Sequence, residues 1–323
     1  MATFTTLDDA DLAAIAAAFG LGALRRWRPI AAGTINSNFD VEAAAGRFFV
    51  RVNEGKTVAD VVWEGELVAA LAARGVPAPV PLPVGDARHL VHRDLVISAF
   101  AWRAGGHRAA AEVSVGDAGR VGEVLARLHL AGLDLPPAVR RRSIYDHAHL
   151  RARFAALPGD AVAADPALAD AVALLGDELA WLDARADARA AATAGLIHGD
   201  LFRDNVLFEG DDLVAVLDFE QASGGSLAYD LAVCLNDWAW AGGPRPDVAR
   251  ALVAGYQRVR PLTAADRAAL PIELRAAAAR FTLTRITDVH LPGISNPDKD
   301  FRDFLARLAR WRTAPLPDLA TSV

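Results

Sequence analysis

The hydrophobic pattern of this chain changes once, and the change divides the sequence into two unlike parts. Short β-type runs occupy the first third, up to about Phe100. From Val113 onward the pattern is helical and rich in alanine, with one interruption near 196–218. Strands collected in one part and helices in the other are typical of an α+β protein with two lobes. We therefore predict a small antiparallel-sheet lobe at 1–98 and a larger, mainly helical lobe at 99–323.

Composition argues against several classes of protein. Of the 323 residues, 53% are hydrophobic, which excludes a disordered chain, and the net charge of −6 argues against nucleic-acid binding. The longest uncharged apolar run, 12–24, has 13 residues, fewer than the ~20 that span a bilayer. One cysteine cannot form an internal disulfide, and the first residues lack a signal-peptide pattern. These features predict a cytoplasmic protein with no nucleic-acid or membrane partner.

Local patterns predict the helices and strands of the first lobe. Thr6 and Asp9 fit a capping box that begins a helix, and Gly20 ends it. Alternating prolines from Pro77 to Pro83 predict an extended surface segment. The predicted strands are 39–41, 47–52 and 90–100, and the second predicted helix is 61–74.

The strongest chemical signal lies at 196–208, which reads LIHGDLFRDNVLF, and it continues at Asp218. Two β-type runs around a polar turn follow Asn205 and predict a hairpin that ends at Asp218. Because a hairpin brings its ends together, the Asn205 amide oxygen and the Asp218 carboxylate are predicted to share one Mg²⁺. Asp200, before the hairpin, is placed to accept a proton from an attacking hydroxyl. This order parallels the catalytic and metal-binding segments of protein kinases.

These motifs resemble those of the aminoglycoside phosphotransferase and choline kinase superfamily, whose members have a protein-kinase-like fold. Within that superfamily the chain is most similar to type II homoserine kinases. The resemblance covers most of the chain, and the similar stretches are 33–39, 71–79, 122–132, 197–208, 227–236 and 280–300. It implies a bilobal, protein-kinase-like α+β fold and phosphoryl transfer that uses ATP and Mg²⁺.

The resemblance also implies roles for individual residues. Asn36, Ser37 and Asn38 would form the loop over the ATP phosphates, where backbone N–H groups and short polar side chains suit the task. The segment 98–101, which includes Ser98 and Phe100, would be the hinge that binds adenine through its backbone.

In the second lobe the same resemblance assigns the chemistry. Asp200 would be the catalytic base, and Asn205 and Asp218 would bind Mg²⁺. Asp230 would be a buried acid that braces the catalytic loop, and His198 would also be structural.

Two residues compete for the role of phosphate-binding cation. The strand that carries a lysine in the family has Arg51 here, and Glu64 in the next helix would be its ion-pair partner. Arginine holds phosphates bidentately, so this replacement is chemically sound. The chain has only two lysines, Lys56 and Lys299, and Lys56 would substitute for Arg51 if its loop folds back.

The acceptor side of the site stays open between two opposite charges. The carboxylate of homoserine needs a cation, which Arg280 or Arg285 could supply. An aminoglycoside or another polyamine alcohol would instead need acids, for which Asp237 and Asp288 are candidates. The resemblance favours phosphorylation of the L-homoserine hydroxyl to O-phosphohomoserine. The alternatives are another small-molecule kinase of the superfamily and a catalytically inactive nucleotide-binding scaffold.

Overall fold

The structure is a computed structural model that describes residues 5–30 and 36–313. The chain divides into two compact units. The smaller unit comprises the residues up to Gly105 together with Val214–Glu220, and the larger unit comprises Gly106–Leu213 and the residues from Gln221 onward. This division differs from the expected boundary after residue 98 in two ways. Residues 99–105 belong with the first unit, and a later segment of the chain returns to it.

The described part of the smaller unit is an antiparallel sheet with helices. Its elements are α1 Asp9–Ala18, β1 Leu24–Ile30, β2 Ser37–Ala43, β3 Gly46–Val52, α2 Val58–Ala72, β4 Leu90–His92 and β5 Leu95–Ala101. The strands lie in the order β1-β2-β3-β5-β4. Because β5 pairs with β3 as far as Ala101, the residues just after 98 belong to the sheet.

Two local predictions in this unit are wrong in detail. The capping box of α1 is formed by Asp8 and Asp11, with Asp8 Oδ1 accepting from Asp11 N at 2.8 Å, so Thr6 and Asp9 are not the cap. The run predicted as one strand at 90–100 is two strands. Arg93 and Asp94 adopt positive φ between β4 and β5, and they turn the chain back on itself.

The two faces of strand β3 differ: one packs into the core of the smaller unit, and the other is partly exposed. Val50 and Val52 are buried in an apolar cluster that also contains Leu12 of α1. Phe49 and Arg51 alternate with them and are partly exposed. Since successive side chains of a strand point to opposite faces, Arg51 lies on the face away from this cluster.

The larger unit is mainly helical. Its helices are α3 Val115–Leu133, α4 His147–Ala155, α5 Gly159–Ala164, α6 Pro166–Asp183, α7 Ala186–Ala190, α8 Leu227–Trp238, α9 Pro246–Val259, α10 Ala264–Arg285 and α11 Phe301–Thr313. The remaining strands are β6 Ala194–Ile197, β7 Val206–Glu209, β8 Asp212–Val216 and β9 Ser223–Ser226. β6 pairs with β9, and β7 with β8 forms the predicted hairpin. The division between the units passes through β8. Within 5–30 and 36–313 no helix is long and apolar enough to cross a membrane.

Helices α3 and α9 cross at a contact that glycines make possible. A Cβ added at Gly122 would lie 2.0 Å from the Leu252 carbonyl oxygen, and one added at Gly255 would lie 2.1 Å from the Gly119 carbonyl oxygen. Backbones this close leave no room for a larger side chain at either position.

Candidate active site

The loop between β6 and β7 is held at its start by one buried carboxylate. Asp230, in the first turn of α8, is fully buried. It accepts hydrogen bonds from the backbone N–H of His198 at 2.7 Å and of Gly199 at 2.8 Å. His129 Nε2 of α3 lies 3.0 Å from the same carboxylate. Three groups thus converge on Asp230 and fix where the loop begins.

The surroundings of Asp230 favour its ionised form. Burial alone would raise the pKa of this carboxyl, but the hydrogen bond from His129 and the nearby N–H groups hold that pKa below 3.8. Because an ionised carboxylate only accepts hydrogen bonds, His129 Nε2 carries the hydrogen. His129 Nδ1 lies 2.7 Å from the Tyr256 hydroxyl. Gly199 has φ +78°, a left-handed conformation that favours glycine at this turn.

The predicted base and one predicted metal ligand lie in this same loop. Asn205 Nδ2 donates to the backbone oxygen of Asp200 at 2.8 Å. Because the amide nitrogen makes this contact, the amide oxygen Oδ1 of Asn205 can bind a different partner. The Asp200 backbone N–H donates to His198 Nδ1 at 3.3 Å. The Asp200 side chain is 23% exposed, so the loop orients this carboxylate without covering it.

Arg280 of α10 is the ion-pair partner of Asp200. Its Nη1 lies 3.8 Å from Asp200 Oδ1, and its Nη2 donates to Gln221 Oε1. The guanidinium carbon lies 4.1 Å from the ring centre of Tyr145 and 3.7 Å from that of Phe281. Arg280 is only 2% exposed, so these contacts hold its charge in place beside the predicted base.

Two further predicted acceptor-binding residues already have partners in the larger unit. Asp237 accepts from Arg203 three times, from the backbone N–H at 2.8 Å, from Nε at 2.9 Å and from Nη2 at 3.1 Å. Arg285 Nη1 donates to the Asp300 backbone oxygen at 2.8 Å. Burial lowers the pKa of the Arg285 guanidinium, and the negative charges of Asp237 and Asp200 act against that shift. Arg285 therefore lies within electrostatic reach of the predicted base.

Asp288 is engaged differently from the other three. It lies in a π-helical turn, Ile286–His290, that follows α10. Its carboxylate forms an ion pair with Arg153 and accepts from Thr287 Oγ1 at 2.8 Å. This side chain is 49% exposed and forms a surface ion pair.

In the smaller unit, both candidate cations converge on one glutamate. Lys56 Nζ lies 3.0 Å from Glu64 Oε2 and 2.9 Å from Glu220 Oε2. Arg51 Nη1 is 3.5 Å from the other oxygen of Glu64. Burial would lower the pKa of the Lys56 amine, but the two glutamates outweigh it and raise that pKa. Lys56 is thus a charged amine with two carboxylate partners, whereas Arg51 keeps its buried Nε without a hydrogen bond.

The surroundings of the Asp218 carboxylate favour binding of a cation. It directly follows Leu217 at the end of the hairpin and adopts φ +60°, a left-handed conformation that is uncommon for residues other than glycine. Its Oδ1 is buried without a hydrogen-bond partner. Burial, reinforced by the charge of Glu220, raises the pKa of the Asp218 carboxyl. A bound cation would satisfy this oxygen and reverse the shift.

The second predicted metal ligand, Asn205, belongs to the larger unit, whereas Asp218 belongs to the smaller one. Their sharing of one ion stays a prediction. Among the described residues no group of three or more His, Cys, Asp or Glu could hold a metal. A Mg²⁺ ion bound with a nucleotide needs few protein oxygens, because phosphate oxygens and water complete its coordination.

The predicted phosphate loop is partly described. Residues 33–35 lie outside the described ranges. Asn36 Oδ1 accepts from the Glu54 backbone N–H at 3.2 Å, and Ser37 Oγ donates to Glu54 Oε1 at 2.7 Å. Asn38 Nδ2 donates to the Asn36 backbone oxygen at 3.2 Å. These three side chains therefore contact Glu54 and one another.

The predicted hinge residues lie inside β5. Ser98 is opposite Arg51 and Phe100 is opposite Phe49 in the pairing with β3. The Ser98 hydroxyl accepts from Asn53 Nδ2 at 3.0 Å and is buried. The ring centre of Phe100 lies 5.7 Å from the guanidinium carbon of Arg51. Contact of this segment with adenine stays a prediction.

Two charged residues that make notable contacts in the structure, Glu220 and Arg307, were not identified from the sequence. Glu220 binds Lys56, and no local pattern links residues so far apart in the chain. Arg307 is buried in α11 with only 7% exposure. A sequence signal for it exists, because Arg307 falls three residues after Phe304 on the stripe of buried residues that continues to Trp311.

The fold defines a class of protein. A solved amicoumacin kinase in complex with AMP-PNP and Ca²⁺ aligns with a TM-score of 0.70 at 15% identity, covering 95% of this chain and 92% of that one. A choline kinase from Cryptosporidium parvum aligns with a TM-score of 0.67 at 12% identity, covering 94% of each chain. Identities this low establish the fold alone. They confirm the prediction of a protein-kinase-like α+β fold with a small antiparallel sheet and a mainly helical remainder.

The family follows from closer relatives. The chain belongs to the phosphotransferase enzyme family, whose characteristic sequence pattern matches residues 26–264. It is 38% identical to a homoserine kinase of Methylobacterium radiotolerans over 97% of both chains, and 36% identical to a homoserine kinase of Xanthobacter autotrophicus over 95% of both. The predicted resemblance is therefore confirmed. The chain is a small-molecule kinase that uses ATP and phosphorylates an alcohol group.

Proposed function

We propose that this enzyme transfers the γ-phosphoryl group of ATP to the side-chain hydroxyl of L-homoserine, giving O-phosphohomoserine and ADP. The observation that carries the proposal is the 38% identity to a homoserine kinase across 97% of both chains. The charges near Asp200 agree with such an acceptor. Homoserine carries a carboxylate as well as an amine, and two arginines, Arg280 and Arg285, lie near Asp200.

Asp200 is the proposed base. One of its carboxylate oxygens accepts the hydroxyl proton while the hydroxyl oxygen bonds to the γ-phosphorus and the bond to ADP breaks. The partly exposed side chain leaves room for an alcohol, and the hydrogen bond from Asn205 fixes the backbone that carries it. Arg280, paired with Asp200, orients the carboxylate and neutralises charge beside it.

Nucleotide binding is assigned to the smaller unit. We assign the phosphates to Arg51, because its buried Nε has no hydrogen-bond partner, whereas Lys56 is neutralised by two glutamates. Glu64 forms ion pairs with both Arg51 and Lys56. The backbone of 36–38 would cover the phosphates, since the side chains there contact Glu54 and one another. The backbone near Ser98 and Phe100 would bind adenine.

Mg²⁺ is assigned to Asp218 and Asn205. The unsatisfied buried oxygen of Asp218 and the free direction of the Asn205 amide oxygen fit a hard divalent cation. When bound, the ion would neutralise negative charge on the β- and γ-phosphates.

A cytoplasmic location and the lack of nucleic-acid partners stay predictions from composition.

A cationic acceptor is the alternative, since solved neighbours include a spectinomycin phosphotransferase and a choline kinase. Such an acceptor needs acids with free oxygens. Asp237 accepts three hydrogen bonds from Arg203, and Asp288 forms a surface ion pair with Arg153. Neither acid favours the alternative.

The test is ADP release with Mg²⁺ and ATP across L-homoserine, L-serine, choline, ethanolamine and spectinomycin. We expect L-homoserine to have the highest kcat/KM. Asp200→Asn should lower kcat by roughly 10²–10⁴-fold, the contribution of a general base. Higher kcat/KM for a cationic acceptor would contradict the proposal. Binding of ATP with no ADP release for any acceptor would instead support an inactive scaffold.

A further inference from the structure

Arg307 of α11 is a buried cation with unused hydrogen-bond donors. It is more than nine-tenths buried, and its Nε and Nη1 are buried without hydrogen-bond partners. Its guanidinium carbon lies 4.3 Å from the ring centre of Phe304 and 5.4 Å from that of Trp240. Arg302, on the same helix, is by contrast 49% exposed and pairs with Asp300. Aromatic contacts support the Arg307 charge but do not satisfy its N–H groups.

Nearby acids do not satisfy Arg307 either. Asp237, the acid with the largest effect on its charge, gives its oxygens to Arg203 in three hydrogen bonds. Asp303 is 54% exposed and lies 3.5 Å from Arg285. Burial therefore lowers the pKa of Arg307 to about 10. A buried charge with open donors is costly unless a ligand of opposite charge completes it.

Arg307 lies beside the catalytic loop. Phe202, two residues after Asp200, packs with a ring-centre distance of 5.7 Å on Phe304. The Phe304 ring contacts the guanidinium groups of both Arg307 and Arg285, the latter at 4.5 Å. Arg285 in turn lies within electrostatic reach of Asp200. These contacts place the unused donors of Arg307 in the neighbourhood where an acceptor must bind.

We propose that Arg307 binds the carboxylate of the acceptor and thereby selects amino acids over amino alcohols that lack one. This inference rests on the proposed function and deepens it. A carboxylate supplies two acceptor oxygens and a full negative charge, which match the open N–H groups of Arg307. Arg280 also has Nε and Nη1 without hydrogen-bond partners, but its charge is already paired with Asp200 and its Nη2 donates to Gln221, so it is less suited to this role.

The experiment compares Arg307→Met with Arg302→Met as the matched control on the same helix. Methionine keeps an unbranched side chain against Phe304 but removes the charge and the N–H donors. Isothermal titration with L-homoserine, without ATP, should show a Kd roughly 10- to 100-fold weaker for Arg307→Met, the loss typical of a hydrogen-bonded charge. Arg302→Met should stay within twofold of the parent chain.

A second acceptor isolates the carboxylate. 3-Aminopropan-1-ol is homoserine without that group, and its kcat/KM should change less than about threefold in Arg307→Met. For L-homoserine, KM should rise while kcat changes little, since the carboxylate is remote from the reacting hydroxyl. Arg307→Lys, which keeps the charge, should recover part of the loss and serves as the test if the methionine variant does not fold.

The outcomes separate this inference from the proposed function. If the parent enzyme phosphorylates L-homoserine but Arg307→Met has unchanged KM, or loses both acceptors equally, Arg307 does not bind the carboxylate and the function stands. If the parent binds L-homoserine through Arg307 but releases no ADP, the function fails and the carboxylate site stands. If the parent does not bind L-homoserine, both are overturned.

Discussion

Replacing Asp230 by asparagine is expected to destabilise the larger unit and to slow catalysis together. The carboxylate accepts from His198 N and His129 Nε2 through Oδ2 and from Gly199 N through Oδ1. An asparagine has one accepting oxygen, so one buried N–H donor would face its amide nitrogen and lose its partner, at a cost of about 1–3 kcal/mol. The other two hydrogen bonds would change from charged to neutral, losing about 1 kcal/mol each. The expected loss is thus about 3–5 kcal/mol.

The rate should fall as well, because Asp230 fixes the start of the loop that carries Asp200. Misplacement of a reacting group by about 1 Å costs on the order of 10² in rate, and we expect a loss of that size in kcat. Urea unfolding followed by tryptophan fluorescence measures the first effect, and ADP release measures the second. Asp212→Asn, on an exposed position of β8, is the matched control and should change neither.

The pH dependence gives an independent check. The folded-state pKa of Asp230 lies below 3.8, so its contribution to stability is fully present above the unfolded pKa and is lost as pH falls through the folded pKa. The difference in unfolding free energy between the parent and Asp230→Asn should therefore be constant from pH 6 to 8 and shrink below about pH 4. A loss under 1 kcal/mol with kcat within threefold of the parent would refute the bracing role.

Two other substitutions probe the metal site and the helix crossing. Asp218→Asn should raise the Mg²⁺ concentration for half-maximal ADP release at least about tenfold. The metal-free melting temperature should be unchanged or higher, because the substitution removes a buried carboxylate oxygen that has no hydrogen-bond partner. A lower melting temperature with unchanged Mg²⁺ dependence would contradict the assignment. Gly122→Ala should lower the unfolding free energy by about 2 kcal/mol or more despite its better helix propensity, since its Cβ meets the Leu252 carbonyl oxygen. Gly159→Ala, with open space around it, should be neutral in the same urea titration, and equal effects of the two would count against the close crossing.

Elements with strong local signals were predictable from the sequence. The hairpin after Asn205 and the strands flanking the turn at Gly46 follow from alternating β-type runs and short polar turns. Strand β1 was missed because Leu24–Ile30 carries three arginines and a proline. Those residues suit an exposed edge strand, where charge and proline prevent further pairing, and they resemble loop composition.

Features that depend on the folded backbone or on distant parts of the chain were not predictable. Asp8–Asp11 and Thr6–Asp9 both fit the capping pattern, and the folded backbone alone distinguishes them. Choosing between Arg51 and Lys56 as the phosphate-binding cation requires knowing that Glu220, far along the sequence, pairs with Lys56. For Arg307, periodicity places the residue on the buried stripe of α11, but only tertiary contacts leave its donors unused.

The discontinuity of the smaller unit has a practical consequence. Glu220, one of the two carboxylates that compensate Lys56, reaches that unit on a strand-and-turn segment encoded far downstream of Gly105. A fragment cut at Gly105 would expose the edge where Val216 N donates to the Pro77 carbonyl oxygen and leave Lys56 with Glu64 alone. Any attempt to express, transplant or recombine the smaller unit of this enzyme must therefore supply residues 214–220 along with it.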